Sequence, residues 1–235
     1  MSISIGDRPL DACDGDLLTA LRGFGVADLH ESLPPATRMG SLMSHSMRPI
    51  VPGSHVVGRA MTAATAPGDN LVLYAALERI SPGQVLVMSN GGVAHGALFG
   101  DVSASFALKM GVAGVVVDGP VRDVSSLRDM RCPVWSTVVS PSHPEKRGPG
   151  SVNEPIVCAG CLVRPGDVIV ADDDAVLVIR PGDLPAVIEA AEERRNREIG
   201  YRERIAGGEH ICDILGMREV VASLVNASTD RGGVS

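Results

Sequence analysis

The chain has 235 residues, of which 45% are hydrophobic and 21% are charged, and its formal net charge is −7 at pH 7. This length is enough to bury a large core in one domain, which excludes a small scaffold held together by disulfides. The acidic balance and the low aromatic content of 3% argue against a basic face or a base-stacking platform, so we predict no binding to nucleic acid.

Helical and strand-like segments alternate along the chain. The residue spacing predicts, in chain order, helices over Asp16–Leu33 and Asn70–Ile80, a strand over Val85–Met88, a helix over Asp101–Met110, a strand over Ala113–Asp118, a helix over Arg122–Met130, strands over Val134–Val139, Ile156–Val163, Val168–Ala171 and Val176–Ile179, and a helix over Asp183–Ile205. This alternation predicts a mixed α/β fold in which helices and strands form separate layers.

We expect a single domain over residues 1–235, with an N-terminal arm over 1–15 and a frayed tail over 226–235. No aliphatic run approaches the roughly 20 residues that a membrane-spanning helix needs. The first residues show neither a basic segment followed by an apolar one nor an Arg-rich amphipathic pattern, so no targeting segment is predicted. We therefore expect a cytoplasmic protein that does not associate with a membrane.

The five cysteines are odd in number and scattered, which favours reduced thiols over a disulfide framework. Cys158 and Cys161 form a Cys-x-x-Cys motif, but no second such motif or spaced His pair accompanies them. A zinc site needs about four ligands. We therefore expect buried structural thiols here, and a redox or metal role is the alternative.

One constellation of polar residues follows a predicted buried strand. The aliphatic run that begins at residue 111 ends in a Gly-Pro turn and then presents Arg122 and Asp123. In α/β sheets the carboxyl ends of strands form the ligand crevice. A glycine-rich loop over 91–100 leads into a helix at Asp101, and its N–H groups are suited to bind a carboxylate. The loop and the strand end are therefore expected to converge.

Each part of this constellation also has a purely structural interpretation. Asp101 is suited to cap the helix that it begins, because its carboxylate can accept hydrogen bonds from the first N–H groups. Arg122 and Asp123 could form an incidental ion pair in an exposed turn, and the glycines could serve only to permit tight turns. The combination of all three features favours a functional site.

The spacing of these charged residues resembles a known family. Twenty residues separate Asp101 from Arg122-Asp123, which matches the Asp-x20-Arg-Asp motif of the divalent-metal-dependent 4-hydroxy-4-methyl-2-oxoglutarate / 4-carboxy-4-hydroxy-2-oxoadipate aldolases. That family belongs to a wider one that contains the regulator of ribonuclease activity A. The resemblance covers residues 17–218 and includes five further segments: Val26–Asp28, Gly58–Thr62, Pro67–Asn70, Gly150–Asn153 and Pro165–Asp174.

The resemblance implies an αββα sandwich that assembles with itself into a homotrimer or homohexamer, with active sites between subunits. It implies cleavage of 4-carboxy-4-hydroxy-2-oxoadipate or 4-hydroxy-4-methyl-2-oxoglutarate to pyruvate and a second 2-oxo acid, in the degradation of aromatic compounds. Mg²⁺ or Mn²⁺ is the implied cofactor. Oxaloacetate decarboxylase activity is also expected, because loss of CO₂ from oxaloacetate leaves the same pyruvate enolate.

The resemblance also implies a role for each residue of the motif. Asp123 is the direct metal ligand, and Arg122 holds the pyruvyl carboxylate or the enolate oxygen, for which its planar charged fork is suited. Asp101 orders a metal-bound water that acts as the base, and Glu198 from a neighbouring subunit also orders the metal waters. Pyruvate contacts the loop formed by Gly96, Ala97, Leu98, Phe99 and Gly100.

The lysine content bears on how the enolate is stabilised. Enolate chemistry needs either a Schiff-base lysine or a metal that acts as a Lewis acid. The chain has two lysines, Lys109 near a predicted helix C-terminus and Lys146 in a polar loop, and neither position indicates a desolvated amine. The sequence therefore favours the metal route. A hard cation that keeps several waters is consistent with Asp123 as its one direct protein ligand.

Two other candidates and two other functions stay open. Asp172-Asp173-Asp174 lies between two predicted strands and is expected to form a hairpin turn, with metal binding as the alternative. His95 is expected to be structural or to face solvent, with contact to a substrate carboxylate as the alternative. The other functions are a non-catalytic regulator of ribonuclease activity that binds a protein partner, and a lyase for another 2-oxo acid. Asp101 argues for an enzyme, because the regulator-like relatives lack an Asp at that position.

Overall fold

A computed structural model of the chain describes residues 2–7 and 15–229. Its strands are β1 (Ile3–Ile5), β2 (Arg48–Pro49), β3 (Val56–Thr65), β4 (Gln84–Ser89), β5 (Gly114–Val121), β6 (Val134–Val139), β7 (Gly150–Val152), β8 (Ile156–Cys158), β9 (Cys161–Val163), β10 (Val168–Ala171) and β11 (Val176–Ile179). Its helices are α1 (Gly15–Leu21), α2 (Val26–Ser32), α3 (Pro35–Arg38), α4 (Leu71–Leu77), α5 (Asp101–Lys109), α6 (Val124–Asp129), α7 (Leu184–Ala206), α8 (Ile211–Ile214) and α9 (Arg218–Thr229).

The chain forms two compact units, Met1–Ala191 and Glu192–Ser235. The first unit contains the strands, helices α1 to α6 and the start of α7, and the second contains the rest of α7 with α8 and α9. Of the predicted arm and tail, β1 and the end of α9 are described, whereas residues 8–14 and 230–235 lie outside the described residues. Within the described part, none of the helices has the length and apolar character needed to cross a membrane.

Four parallel strands form the centre of the main sheet, in the order β3, β4, β5 and β6. The outer edge of β6 pairs antiparallel with β2. The outer edge of β3 is divided, because its first residues pair with β10 and its last with β7, which in turn pairs with β1. β11 pairs with β10, while β8 and β9 form a separate hairpin. The carboxyl ends of the parallel strands therefore lie at one edge of the sheet.

Three hydrophobic clusters show that helices cover both sides of two β layers. The first packs α4, α5 and α6 onto one face of the central strands, with Leu73, Ala104 and Leu127 in the contact. The second lies between the other face of those strands and the β8–β11 hairpins, around the fully buried Trp135. The third packs α1, α2 and the start of α7 onto β10 and β11. The predicted mixed α/β class and αββα sandwich are confirmed.

The alternation of side chains explains how one strand serves two of these clusters. In β10, Val168 and Val170 belong to the third cluster, whereas Ile169 and Ala171 belong to the second. Successive residues of a strand point to opposite faces, and both faces of this strand are covered, so an uninterrupted aliphatic run is required. The predicted bounds of β10 and β11 are confirmed residue for residue.

The predicted helix over Asp16–Leu33 is wrong as a single element. The structure has α1 and α2 in its place, separated by a turn over residues 22–25 that contains two glycines. Gly23 and Gly25 interrupt the helical pattern because glycine has a high conformational entropy in the unfolded chain and weak helix propensity. The apolar residues on either side still belong to one cluster, which is why the spacing resembled one helix.

The predicted strand over Ile156–Val163 is also wrong as a single element, because it is the β8–β9 hairpin. Its two turn residues, Ala159 and Gly160, have φ values of 47° and 86°. Positive φ at both central residues is typical of the two-residue turns that match the twist of the strands. Since Cys158 and Cys161 flank this turn, they are directly opposite each other in the pairing.

Candidate active site

The β4–α5–β5 crossover brings Asp101 next to Arg122. Asp101 begins α5, and the loop before it runs along the end of β5. The Leu98 N–H donates to the Pro120 carbonyl at 2.8 Å, and the Arg122 N–H donates to the Phe99 carbonyl at 3.0 Å. The glycine-rich loop and the strand end therefore converge at the carboxyl edge of the sheet, as the sequence predicted.

The Asp123 carboxylate connects the three charged residues. Its Oδ2 accepts a hydrogen bond from the Asp101 N–H at 3.3 Å and from Arg122 Nε at 3.2 Å. Asp123 has a φ of 59°, in the left-handed region that Asp and Asn adopt more readily than other non-glycine residues. The predicted helix over Arg122–Met130 begins later, at Val124, and Asp123 makes no side-chain cap bond to it. Its carboxylate is directed toward Asp101 instead.

Gly100 provides the space that this carboxylate occupies. A Cβ atom at this position would lie 2.5 Å from Asp123 Oδ2 and 3.1 Å from Arg122 Cγ. Such an approach is far shorter than van der Waals contact, so a larger residue would displace the carboxylate or the loop. The Gly100 backbone is extended, with a φ of −160°. The glycine is thus required here for close approach and not for an unusual backbone conformation.

Asp101 keeps one carboxylate oxygen for a further partner. It is the first residue of α5, and the cap position itself belongs to Gly100. Asp101 Oδ1 accepts the Val102 N–H at 2.7 Å, which satisfies one of the unpaired donors of the first turn. Within residues 2–7 and 15–229, no hydrogen bond to Asp101 Oδ2 is formed. Capping and a chemical role are therefore compatible in this residue.

Most N–H groups at the start of the loop are already used within the protein. The Gly96 N–H donates to Ser142 Oγ at 2.7 Å, and the Ala97 N–H donates to the Ser142 carbonyl at 2.9 Å. The Leu98 N–H donates to the Pro120 carbonyl at the end of β5. The Gly100 N–H makes no hydrogen bond with the described part of the chain. The amide available next to Arg122 is therefore at the Gly100 end of the predicted pyruvate loop.

The site opens into a cavity of about 460 Å³ between α4, α5 and the loop over 143–146. Its floor and walls combine charged, polar and aromatic side chains. The lining consists of Asn70, Tyr74, Leu77, Glu78, Ala97, Phe99, Gly100, Asp101, Val102, Ser103, Phe106, Arg122, His143, Pro144 and Lys146. Sequence reasoning did not assign a role to Asn70, Tyr74 or His143, because they come from segments far apart in the chain.

A buried aspartate holds the loop over 143–146 above this cavity. Asp69 is 4% exposed, and its carboxylate accepts the N–H groups of Leu71, Arg147 and Gly148. The Glu145 N–H also donates to the Gly68 carbonyl at 2.7 Å. The Pro67–Asn70 turn therefore fixes one wall of the cavity. Asp69 is a structural residue that the sequence presented only as part of a family-like segment.

Neither lysine is buried in the way that Schiff-base chemistry favours. Lys146 lines the cavity but is exposed, and Lys109 is exposed in the last turn of α5. A nucleophilic lysine is normally activated by desolvation or by a neighbouring cation. The arrangement is consistent with the sequence argument against a Schiff base.

The Asp101–Asp123 pair fits a hard divalent cation that keeps most of its waters. Across residues 2–7 and 15–229, no three His, Cys, Asp or Glu side chains are grouped so that they could enclose an ion. Mg²⁺ is commonly bound by one or two carboxylates and several waters, and an enclosing protein cage is not needed. Asp123 is about one-third exposed, and its Oδ1 accepts no hydrogen bond from the described residues. This oxygen is suited to be the direct ligand.

Glu198 lies on α7 within the second unit. Its carboxylate is held by two arginines one helical turn away, Arg194 at 2.8 Å and Arg202 at 2.7 Å. Pairs at this spacing stabilise helices modestly. The predicted role of Glu198 at the site of a neighbouring subunit stays a prediction.

The Asp172–Asp174 cluster forms the turn between β10 and β11 and serves the fold. Asp172 Oδ2 accepts the Val26 N–H at 2.8 Å, and the Asp172 carbonyl accepts Trp135 Nε1 at 2.8 Å. Asp173 accepts the Gly53 N–H at 2.9 Å. These bonds connect the hairpin to three other segments, so the carboxylates have structural partners.

His95 and the Cys-x-x-Cys motif also lie apart from the cavity lining. His95 is exposed, and its ring lies against Gly68, whose added Cβ would be 3.0 Å from His95 Cδ2. Cys158 and Cys161 are fully buried free thiols. Burial raises the pKa of Cys161 to about 11 and that of Cys158 well above its usual value. Both cysteines therefore stay protonated and packed in the second cluster.

The comparison with known proteins identifies the family. The sequence profile of the RraA-like family, described as Aldolase/RraA, matches residues 26–178. The chain is 33% identical over 180 residues to a protein of Halalkalibacterium halodurans named "Putative 4-hydroxy-4-methyl-2-oxoglutarate aldolase", covering 77% of this chain and 84% of the relative. A protein of Burkholderia multivorans with the same name is 35% identical over 157 residues, covering 66% of this chain and 95% of the relative.

Solved structures agree with this assignment. Streptomyces coelicolor RraAS2, described as an unusual member of the RNase ES inhibitor RraA protein family, is similar with a TM-score of 0.75 and 30% identity. The similarity covers 84% of this chain and 98% of that one. The profile match over more than half of the chain and the similarity of the fold lead to one conclusion: this chain is a member of the RraA-like family.

Proposed function

We propose that this protein is a divalent-metal-dependent lyase that releases pyruvate from 4-hydroxy-4-methyl-2-oxoglutarate or 4-carboxy-4-hydroxy-2-oxoadipate. The observation that carries the proposal is the contact of Asp123 with both Asp101 and Arg122, two residues that line one cavity. The names of the relatives support the aldolase class.

Arg122 binds the pyruvyl half of the substrate. Its Nε donates to Asp123, and its terminal nitrogens have no partners among the described residues, while its side chain lines the cavity. A guanidinium matches a carboxylate through two parallel hydrogen bonds and keeps its charge at all relevant pH values. Arg122 therefore anchors the C1 carboxylate and neutralises the charge that develops on the C2 oxygen.

Asp101 moves the proton of the reaction. Retro-aldol cleavage removes the hydrogen of the C4 hydroxyl, breaks the C3–C4 bond and leaves the electron pair as the enolate of pyruvate. Asp101 Oδ2 takes up this proton through one water and returns it to C3, which completes pyruvate. The C4 fragment leaves as the second 2-oxo acid, so no external oxidant or reductant is needed.

Asp123 Oδ1 would hold the Mg²⁺ or Mn²⁺ ion, with Asp101 beside it. When bound, the ion supplies a Lewis acid for the C2 oxygen of the substrate. Asp123 Oδ2 meanwhile fixes the start of α5 and the Arg122 fork through its two hydrogen bonds. One carboxylate thus serves both to bind the cation and to position the two residues that act on the substrate.

Oxaloacetate decarboxylation follows from the same arrangement. Loss of CO₂ from oxaloacetate needs no removal of a hydroxyl proton. The C3–C4 bond breaks, C4 leaves as CO₂, and the electron pair of the bond stays on C3. Arg122 binds the remaining pyruvyl group as before, and the water beside Asp101 supplies the proton that the enolate takes up at C3. This reaction therefore uses the pyruvyl part of the site alone.

The test is pyruvate release from oxaloacetate, 4-hydroxy-4-methyl-2-oxoglutarate and 4-carboxy-4-hydroxy-2-oxoadipate, with Mg²⁺ or Mn²⁺ and with EDTA. Wild type and Asp101→Ala are compared, and circular dichroism verifies the fold of both. We expect metal-dependent release that falls strongly on loss of Asp101. Equal activity in EDTA would contradict the metal assignment. No release from any of the three would instead favour a protein-binding regulator or a lyase for another 2-oxo acid.

A further inference from the structure

Lys146 brings a second cation to the cavity that Arg122 lines. The two residues come from different elements, since Arg122 follows β5 and Lys146 belongs to the loop over 143–146. Arg122 is paired with Asp123, whereas no ion pair or side-chain hydrogen bond joins Lys146 to the described residues. The Lys146 side chain is exposed, so its ammonium group is accessible to a ligand in the cavity.

Acidic side chains of the loop and of the cavity wall pair with other cations. Glu145, which precedes Lys146, accepts an ion pair from Arg147 at 3.3 Å. Glu78 lines the same cavity and pairs with Arg79 at 3.2 Å. Neither carboxylate neutralises Lys146. A cation in a binding cavity that lacks a partner in the protein is suited to bind an anionic group of the ligand.

The backbone on both sides of Lys146 is fixed by hydrogen bonds. The Glu145 carbonyl accepts the Asn70 N–H at 3.0 Å, at the start of α4. The Arg147 N–H donates to the buried carboxylate of Asp69. Lys146 is therefore held at the α4 side of the cavity, whereas Arg122 lies next to the start of α5.

Both proposed substrates carry a carboxylate on C4 in addition to the C1 carboxylate that Arg122 holds. Four C–C bonds connect the two carboxylate carbons, which corresponds to about 5 Å in an extended chain. The cavity of about 460 Å³ has room for this acceptor half beside the pyruvyl group. The carboxylate on C4 stays attached to C4 when the C3–C4 bond breaks, so a cation that binds it remains in contact from substrate to product.

We infer that Lys146 binds the carboxylate on C4 and thereby selects 4-hydroxy-2-oxo acids that carry this group over those that lack it. The released 2-oxo acid keeps the carboxylate, and Lys146 holds it until the product leaves. The ammonium group forms no covalent bond in this role, and the proton of the C4 hydroxyl is still moved by Asp101. This inference rests on the proposed aldolase function.

The experiment compares two substrates that differ by this carboxylate, both in the presence of Mg²⁺. 4-Hydroxy-4-methyl-2-oxoglutarate carries it on C4, and 4-hydroxy-2-oxopentanoate has a hydrogen there. In Lys146→Met, kcat/KM for the first acid should fall by about 10-fold or more relative to the second, because hydrogen bonds to charged groups are stronger than neutral ones. The loss should lie in KM, since substrate and transition state are held alike. Lys146→Arg should retain most of the selectivity.

Arg147→Met is the matched control on the same loop. Arg147 is the neighbouring cation, its side chain is 74% exposed, and it lies outside the cavity lining. The ratio of kcat/KM values for the two acids should equal that of wild type. Exchange of the C3 hydrogens of pyruvate with solvent deuterium provides a second reference reaction, because pyruvate has no C4.

Three outcomes would overturn the inference. These are an equal loss with both acids in Lys146→Met, a loss in kcat with KM unchanged, and a change of the ratio in Arg147→Met as large as that in Lys146→Met. In each case the lyase function itself would stand, because wild type still cleaves the diacid. Wild type that releases pyruvate from neither acid and exchanges no C3 hydrogen of pyruvate would instead refute the lyase function, and the inference with it.

Discussion

The Oδ2 atom of Asp123 lies 3.3 Å from the backbone nitrogen of Asp101, so that one carboxylate joins the starts of α5 and α6. Arg122 Nε donates a hydrogen bond to the same oxygen at 3.2 Å. Charge-assisted hydrogen bonds of this kind are stronger than neutral ones and fix orientation. The two halves of the motif are thereby held in register although twenty residues separate them.

Asp123→Asn should abolish metal-dependent turnover while the fold persists. Asn tolerates the φ of 59° and keeps an acceptor oxygen for Asp101 and Arg122, but it lacks the charge that binds the cation. We expect a loss of about 100-fold or more in kcat/KM and loss of Mn²⁺ binding by titration calorimetry. Asp123→Ala is a poorer test, since alanine adds backbone strain in this region. Retained Mn²⁺ affinity in the Asn variant would contradict the assignment.

Gly100→Ala should lower activity with little effect on stability. The added Cβ would lie 2.5 Å from Asp123 Oδ2, which forces the carboxylate away from Asp101. We expect kcat to fall by about 10- to 100-fold, because misplacement of reacting groups by about 1 Å has effects of that size. Gly182→Ala is the matched control, since a Cβ there meets nothing within 4 Å. Similar kinetics in the two variants would argue against the positioning role of Asp123.

Arg122→Lys should reduce kcat by about 100-fold although the charge is retained. Lysine cannot form the two parallel hydrogen bonds to a carboxylate while also donating to Asp123. Steady-state kinetics on oxaloacetate, together with inhibition by the product pyruvate, would separate binding from turnover. If the variant matches wild type in both, Arg122 is not the partner of the pyruvyl group.

Stability should fall as pH rises from about 9 to 11. Burial raises the pKa of the Cys132 thiol to about 11 and that of Cys161 to about 11, whereas unfolded thiols titrate near 9.0. In that window the unfolded chain releases protons that the folded chain keeps, so each thiol lowers the free energy of unfolding, by about 3 kcal/mol at most. Urea denaturation at pH 8 and pH 10.5 measures the loss.

The thiol contribution can be isolated by substitution. Cys132→Ala should weaken the pH dependence over this window, whereas Cys212→Ala, at a partly exposed site, should leave it as in wild type. If the free energy of unfolding of Cys132→Ala falls with pH as steeply as that of wild type, groups other than this thiol cause the loss of stability at alkaline pH.

The resemblance to the aldolase family leads us to propose that Glu198 acts across a subunit boundary. Glu198→Gln and Asp123→Asn should each be inactive alone. After mixing and subunit exchange, part of the activity should return, because some sites then combine an intact Asp123 with an intact Glu198. Light scattering on each variant verifies that a trimer or hexamer is present. No recovery after demonstrated exchange would place both residues in the same subunit's site or remove Glu198 from it.

The sequence revealed the aliphatic strands and the charged motif but not the central strand β3. Val56–Thr65 contains three alanines and Gly58, residues with weak strand propensity, so its composition does not resemble a strand. The structure explains the glycine, because a Cβ at Gly58 would lie 2.5 Å from the Gly83 carbonyl. Close packing on both edges and both faces of β3 decides its conformation, and such contacts are not local.

The motif residues could be placed from the sequence because each one ends or begins an element. Asp101 begins a helix and Arg122 follows a strand, and both positions were visible in the pattern of apolar residues. The cavity wall could not be placed in the same way. His143 and Lys146 reach it because their loop is hydrogen-bonded to distant segments, among them the turn at Asp69, which lies more than 70 residues earlier in the chain.

The β4–α5–β5 crossover gives the spacing of the motif a geometrical meaning. The chain leaves the carboxyl edge of the sheet at Asp101, descends through α5, turns over residues 110–113 and returns along β5 to Arg122. The twenty intervening residues measure the length of chain needed for one round trip across the sheet. A residue added to the far turn lies outside both elements, whereas a residue inserted into α5 would rotate the helical residues that follow it by about 100°. The spacing of the motif therefore reflects the dimensions of the fold as well as the chemistry of the site.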